Sequence, residues 1–316
     1  TLWLEGPVNE WAGVVTTGTR VTQLWMQSKG LTGAIPESVG DLTALKKMIL
    51  SSNSITSIPE TIGNLTNLEM LWLGWTDISA LPESIGNLSN LNELHLGLMN
   101  NPLTSLPDSF CNLENLEWLG LGGNALTSLP SCFGNLSSLE TLFLWGNQLT
   151  ELPESFGNLQ SLWHLDMDYN PITHLPVNFG DLDNLESLRM EGTLLTALPE
   201  SFSDLENLEI VWGRGNQIEA LPEAFGNLDS LRFVNLSSNM ITEFPASLSD
   251  LASIRELLFD NNEIAYIPED IGNLSTLKVL GLIGNNIHTV PESMGSLGAL
   301  EILGLAHNYI STLPES

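Results

Sequence analysis

Proline spacing is the strictest constraint on this chain. Aligned prolines stand at Pro36, Pro59 and Pro82, then at Pro107 and every 23 residues on to Pro314, with one interval of 25 between Pro82 and Pro107. Around each runs one phrase, clearest from Leu139 to Pro153 as LETLFLWGNQLTELP and continued by ESFGNL. A fixed period of this length is the signature of a solenoid, in which each unit packs mainly on its neighbours. A chain of 316 residues therefore does not need to be divided into two globular cores.

Within the unit, x-L-x-L-x alternates and predicts a short strand with its leucines inside. Strands of successive units then pair in parallel, about 4.8 Å apart. The asparagine that follows predicts an internal ladder: Asn53, Asn101, Asn124, Asn147, Asn170, Asn216, Asn239, Asn262, Asn285 and Asn308. A side-chain amide both donates and accepts, so it can satisfy the backbone groups that a tight turn leaves free. Thr76 and Thr193 keep that double capacity, whereas Lys29 cannot accept and takes the first unit out of the ladder. The P-E-S-F-G-N-L phrase predicts a short helical turn on the opposite side. Proline is tolerated where an N–H has no helical partner, and an acid such as Glu60, Glu83, Glu154 or Glu200 suits a helix start. Ile62, Phe110, Phe133, Phe156 and Phe179 are assigned to the core.

The phrase L-x-x-L-x-L-x-x-N-x-L-x-x-L-P resembles the leucine-rich repeat, over nearly the whole chain. The resemblance implies an α/β solenoid, curved, with parallel strands on the concave face and short helical turns on the convex face. Residues 1–20 depart from the repeat and read as a partial N-terminal cap. Residues 21–316 form a solenoid of about 13 repeats with no C-terminal cap, all within a single domain. Trp11, Gly13, Val14, Arg20, Val21, Thr22 and Leu24 resemble the cap of extracellular plant-type and microbial relatives. Trp3 and Trp11 are expected to cover the apolar end of the first repeat. At the other end Leu303, Leu305 and Ile310 would face water unless something covers them, which suggests a fragment or a partner. The LTGAIP ending of the first repeat resembles secreted members, and the later repeats resemble bacterial and intracellular ones. Placement outside the cell or at its surface is the reading, with the cytoplasm as the alternative.

The net charge of −29 argues against nucleic acid, which calls for a basic face, and fits basic partners, cations, a salty medium, or simply a solvated acidic surface that keeps a repeat protein in solution. No apolar run is long enough to span a membrane. Cys111 and Cys132 lie in adjacent repeats, where either a disulfide or two free thiols fits. Glycosylation sequons occur at Asn64, Asn87, Asn135, Asn235 and Asn273, four of them inside the repeated G-N-L-[ST] phrase.

Function has to be sought on the outward strand positions, because inward leucines only pack. Trp25, Ile49, Trp72, His95, Gly120, Phe143, Asp166, Arg189, Trp212 and Asn235 stand there in turn. Six of the nine tryptophans, Trp25, Trp72, Trp75, Trp118, Trp145 and Trp212, fall on or beside this surface, where the core does not require them. The expected ligand-binding set is Trp72, Trp75, His95, Trp118, Phe143, Trp145, His164, Asp166, Asp168, Tyr169, Arg189, Glu191, Trp212 and Arg214. Gly213 in a leucine position and Thr193 in an asparagine position mark the same stretch as irregular. The two residues added in LGLMNNP are expected to bulge at Leu98 and Met99 beside Trp72, Trp75 and His95. No cofactor or metal is implied: Asp166 and Asp168 share a face, but calcium takes about six to eight oxygens. No nucleophile stands beside a base, and a flat sheet lacks an enclosing pocket, so the chain does not read as an enzyme. The sequence reading is a recognition scaffold for a protein or peptide. A glycan-binding surface and a structural spacer are the alternatives.

Overall fold

The computed structural model describes residues 12–97 and 102–314. Trp3 and Trp11, the bulge at Leu98 and Met99, and the ladder residue Asn101 lie outside that range. The chain divides into two compact units, residues 1–149 and 150–316.

The first unit carries β1 (Val14–Thr17), β2 (Arg20–Trp25), β3 (Thr32–Ala34), β4 (Lys47–Ile49), β5 (Ser54–Ser57), β6 (Met70–Trp72), β7 (Glu93–His95), β8 (Trp118–Gly120) and β9 (Thr141–Phe143). β1 and β2 form an antiparallel hairpin at the edge. From β2 the parallel order runs β4, β6, β7, β8, β9, while β3 and β5 pair separately. The second unit carries β10 (His164–Asp166), β11 (Ser187–Arg189), β12 (Ile210–Trp212), β13 (Phe233–Asn235), β14 (Glu256–Leu258), β15 (Val279–Gly281) and β16 (Ile302–Gly304), all parallel in chain order. Pairing matches equivalent positions of successive repeats. Even the 25-residue repeat keeps register, with Glu93 opposite Trp118.

The inward leucines behave as the alternation requires: Leu71, Leu94, Leu119, Leu142, Leu165 and Leu188 are all fully buried. Burying a leucine side chain contributes roughly 1.5–3 kcal/mol, and the period repeats that contribution along the chain. The turn side is a series of 3-10 turns such as Glu60–Asn64 and Glu154–Asn158. Proline sits one residue before each of these two, extended, and its carbonyl accepts the N–H three residues on (Ile62 to Pro59, 3.1 Å; Phe156 to Pro153, 2.8 Å). Glycine in this phrase answers a close approach: a Cβ on Gly63 would stand 2.7 Å from the Ser84 carbonyl oxygen of the next repeat. Below the turns of the second unit, Phe156, Phe179, Phe202 and Phe225 stack face to face with centroids 6.3–6.4 Å apart.

The asparagine ladder is present. Asn147 donates to the carbonyls of Leu121 (3.0 Å) and Leu144 (2.7 Å) and accepts from Leu126 N–H (3.0 Å), and Asn239, Asn262 and Asn285 bridge neighbouring repeats in the same way. Thr76 donates to Leu73 O at 2.8 Å, and Thr193 donates to Asn216 Oδ1. Lys29 contributes only its backbone N–H, to Asn53 Oδ1 at 3.0 Å, while its side chain is exposed. Between the two thiol options, the structure forms the disulfide: Cys111 and Cys132 are joined across adjacent turns with Cα atoms 5.8 Å apart. Among the described residues no helix is long and apolar enough to cross a membrane. Of the sequons, Asn64, Asn87, Asn135 and Asn273 are exposed at the ends of turns, whereas Asn235 is half-buried on β13 and accepts from Ser237 N–H. Leu303 and Ile302 on β16 are 40% and 60% exposed.

Candidate functional site

The expected surface residues divide between the two units. In the first, rings from successive strands form a row. Trp72 on β6 and His95 on β7 are 6.0 Å apart, His95 and Trp118 on β8 are stacked at 5.2 Å and 10°, and Trp118 and Phe143 on β9 are 5.4 Å apart. Glycines let these rings lie flat. A Cβ on Gly120 would meet the Trp118 ring at 2.7 Å, and one on Gly122 would collide with Trp145. His95, Trp118, Phe143 and Trp145, over Gly97, Gly120 and Gly122, thus enclose an apolar trough of about 150 Å³. The rings are half-buried, because each covers its neighbour. Burial also lowers the His95 pKa, which favours the neutral imidazole. Its Nδ1 is buried without a hydrogen-bond partner among the described residues.

Trp75 stands apart, 48% exposed at the strand exit with φ +55°. That left-handed conformation is held by glycine in several other repeats, as at Gly123 and Gly146, so a tryptophan there carries backbone strain of order 1–2 kcal/mol. Ile49 keeps the outward register position but is covered there. It is 2% exposed, because its register neighbours Trp25 and Trp72 flank it on both sides.

In the second unit the same strand positions carry charge. Asp168 is 3% exposed and fully engaged: Arg189 donates to its Oδ2 from Nε (3.0 Å) and from Nη2 (2.8 Å), and Glu191 N–H donates to its Oδ1 (2.6 Å). Arg189 also lies 3.6 Å from Asp166 and 3.9 Å from Glu191, with its guanidinium 5.6 Å from the centre of the Trp212 ring. Trp212 in turn packs at 4.4 Å against Phe233. Burial, and then the charge of Asp168, push the Asp166 pKa up to about 6. Glu191 is raised for the same two reasons, and His164 is lowered by burial and then by Arg189. Arg214 is exposed, and its charge acts on Glu191 against the two raising causes. Tyr169 is 65% exposed at φ +56°, with its ring lying over Gly192. Gly213 leaves no void, since Met190 and Leu236 reach into its place. Among the described residues no cluster of three or more metal-ligating side chains occurs.

Sequence reading passed over the residues just ahead of the strands. Glu69, Asn92 and Glu117, with Glu93 on β7, line a second recess of the first unit that shares the Trp118 wall. The unexpected Trp163, 42% exposed and 5.6 Å from His164, lies at the matching position before β10. The period itself would have flagged that row, had the outward count begun one residue earlier.

Comparison with known proteins follows the same lines. The family described as "Leucine-rich repeat region" matches residues 18–119 and 107–190, and "Leucine Rich Repeat" matches 230–251. No match was found among curated proteins. Among solved structures, a leucine-rich repeat protein of Leptospira interrogans is 34% identical over 90% of this chain and 72% of its own, with a TM-score of 0.81. The plant peptide hormone receptor RGFR1, solved in complex with RGF2, is 29% identical over 96% of this chain and 53% of its own, with a TM-score of 0.82. An internalin from Listeria monocytogenes is 25% identical over 97% and 99%, with a TM-score of 0.67. This chain therefore spans about half the length of the plant receptor it matches. With the 23-residue period, the buried leucines, the asparagine ladder and the family match over more than half its length in agreement, this chain belongs to the leucine-rich repeat proteins.

Proposed function

We propose that this chain is a non-enzymatic recognition scaffold whose strand face binds a protein or peptide. The observation that carries this reading is the aromatic row of the first unit. Trp72, His95, Trp118 and Phe143 occupy positions that no core demands, and glycines beneath Trp118 and Trp145 let those rings lie flat as half-exposed walls. Rigid tryptophan anchors in a preformed trough supply contact area at small conformational-entropy cost, which is the usual make-up of binding hot spots. The strand face of the second unit, taken by itself, offers exposed Arg214 and Tyr169. A receptor solved with its peptide hormone stands among the similar structures, in accord with this class of ligand. The Cys111–Cys132 disulfide favours an oxidising compartment, hence placement outside the cell or at its surface.

The test is a selection from a random linear dodecapeptide display library, run beside a glycan array, on wild type, Trp118→Ala/Trp145→Ala and Trp212→Ala. Peptide clones lost by the first-unit double variant, with circular dichroism unchanged, support the reading. Clones indifferent to all three substitutions, or glycan binding alone, overturn it.

A further inference from the structure

Beside the aromatic trough, the first unit carries a recess of about 400 Å³ whose floor is acidic. Glu69, Glu93 and Glu117 line it, with Met70, Asn92 and Trp118. Their charges are not equally available. Lys46 holds Glu69 at 2.6 Å. Glu93 Oε1 accepts from Trp72 Nε1 at 2.9 Å, which fixes that carboxylate without neutralising it. Among the described residues neither Glu93 nor Glu117 has an ion-pair partner. Lys47 also borders the recess, but on β4, two strands before Glu93 in the sheet order. The uncompensated negative charge therefore gathers at the end next to Trp118.

Trp118 is the wall common to both cavities: it borders the recess and also the trough formed with His95, Phe143 and Trp145. An acid-lined recess and an apolar groove that share one tryptophan make a two-part site. Resting on the recognition reading, we propose that this site takes an extended peptide segment in which a lysine or arginine is followed or preceded, within about two residues, by an apolar side chain. The cation lies between the Glu93 and Glu117 carboxylates, held by the two ion pairs, with its alkyl stem packed against Trp118. The apolar neighbour fills the trough above Gly120 and Gly122. Charge complementarity selects this occupant over an acidic or neutral one. The net charge of −29 draws basic segments toward the molecule, and the two unpaired carboxylates give them a place to stop. Uncharged His95 leaves the trough without an opposing cation at neutral pH.

The experiment uses the clones enriched by the dodecapeptide selection, measured by fluorescence anisotropy on wild type, Glu93→Gln/Glu117→Gln and Trp118→Ala/Trp145→Ala. Glutamine at 93 can still accept from Trp72, and Glu117 is exposed, so the charge variant keeps the fold. The expected result is that enriched peptides carry Lys or Arg near Trp, Phe, Leu or Pro. Their affinity should fall about tenfold or more on Glu93→Gln/Glu117→Gln, and by a similar factor when the peptide's basic residue becomes glutamine. Their binding should also weaken with added salt in wild type but much less in the charge variant. Clones that need Trp118 and Trp145 but ignore the two glutamates overturn this proposal and leave the recognition reading intact. Clones that ignore both sets of substitutions overturn both. A selection that yields no clone, or only acidic ones, overturns the proposal of a basic ligand.

Discussion

The aromatic row of the first unit and the charged knot of the second occupy equivalent positions of one repeat, yet they are held by different forces. In the first, rings rest on glycine backbone and on one another, and Glu93 and Glu117 beside them keep their charge unpaired. In the second, Arg189 spends its guanidinium on Asp168, Asp166 and Glu191 and lies close to the Trp212 ring. A surface that has satisfied its own polar groups has little left for a ligand, whereas one stocked with preformed apolar area and free carboxylates has not used its capacity. The contrast makes the first unit the better candidate for recognition and gives the second unit's knot a larger share in stability.

Removing Asp168 should separate the two most strongly. Asp168→Ala leaves Arg189 and the Glu191 N–H without their main acceptor, and urea unfolding should show a loss of about 3 kcal/mol. Trp118→Ala forfeits stacking and some burial and should cost about 1 kcal/mol. A Trp118→Ala loss as large as that of Asp168→Ala would make the aromatic row part of the packing and break the contrast. Gly122→Ala comes next. Its methyl group occupies the space of the Trp145 ring, so tryptophan emission should shift to the red and peptide affinity should fall, for a stability change of about 1 kcal/mol.

Tyr169→Gly should act in the opposite sense. Relief of a left-handed non-glycine backbone outweighs the extra freedom of the unfolded glycine, for a net gain of about 0.5 kcal/mol in thermal or urea unfolding. Trp75→Gly in the first unit should gain about as much by the same argument. A loss at position 169 instead would mean that the ring's contact with Gly192 outweighs the strain. A further prediction concerns pH. Asp166 has a folded pKa raised to about 6 from an ordinary 3.8, so between these values the folded state binds more protons than the unfolded one. Stability from this group is therefore greatest at low pH and declines as pH rises from about 4 to about 6. Asp166→Asn should flatten that part of the profile, measured as unfolding midpoints in a buffer series.

Much of this molecule is legible from the spacing of a few residues. Leu71, Leu94 and Leu119 are inward because alternation and the 23-residue period leave them no other side. Asn147 and Asn239 bridge backbones because a tight turn recurs at each repeat and an amide suits it. The outward placement of Trp118, Trp145, Asp166 and Arg189 follows from the same parity. Local pattern sufficed here because each repeat meets the same environment as the one before it. The limits appear where a side chain's surroundings come from another repeat. Ile49 reads as outward and is buried between two tryptophans. The Cys111–Cys132 bond was one of two options until the turns were placed side by side.

By itself, then, the sequence determined the repeat, the core, the ladder and the strand positions whose side chains point away from the core, because all four depend on position within a unit. Only the tertiary structure decided which of those side chains are already occupied. Asp168 is covered by Arg189 from the next strand, Trp145 lies on a glycine one repeat earlier, and Glu93 comes from the preceding repeat to stand with Glu117 beside Trp118. Those contacts join residues more than 20 positions apart in the chain, and the strand register that brings them together is a property of the stacked repeats.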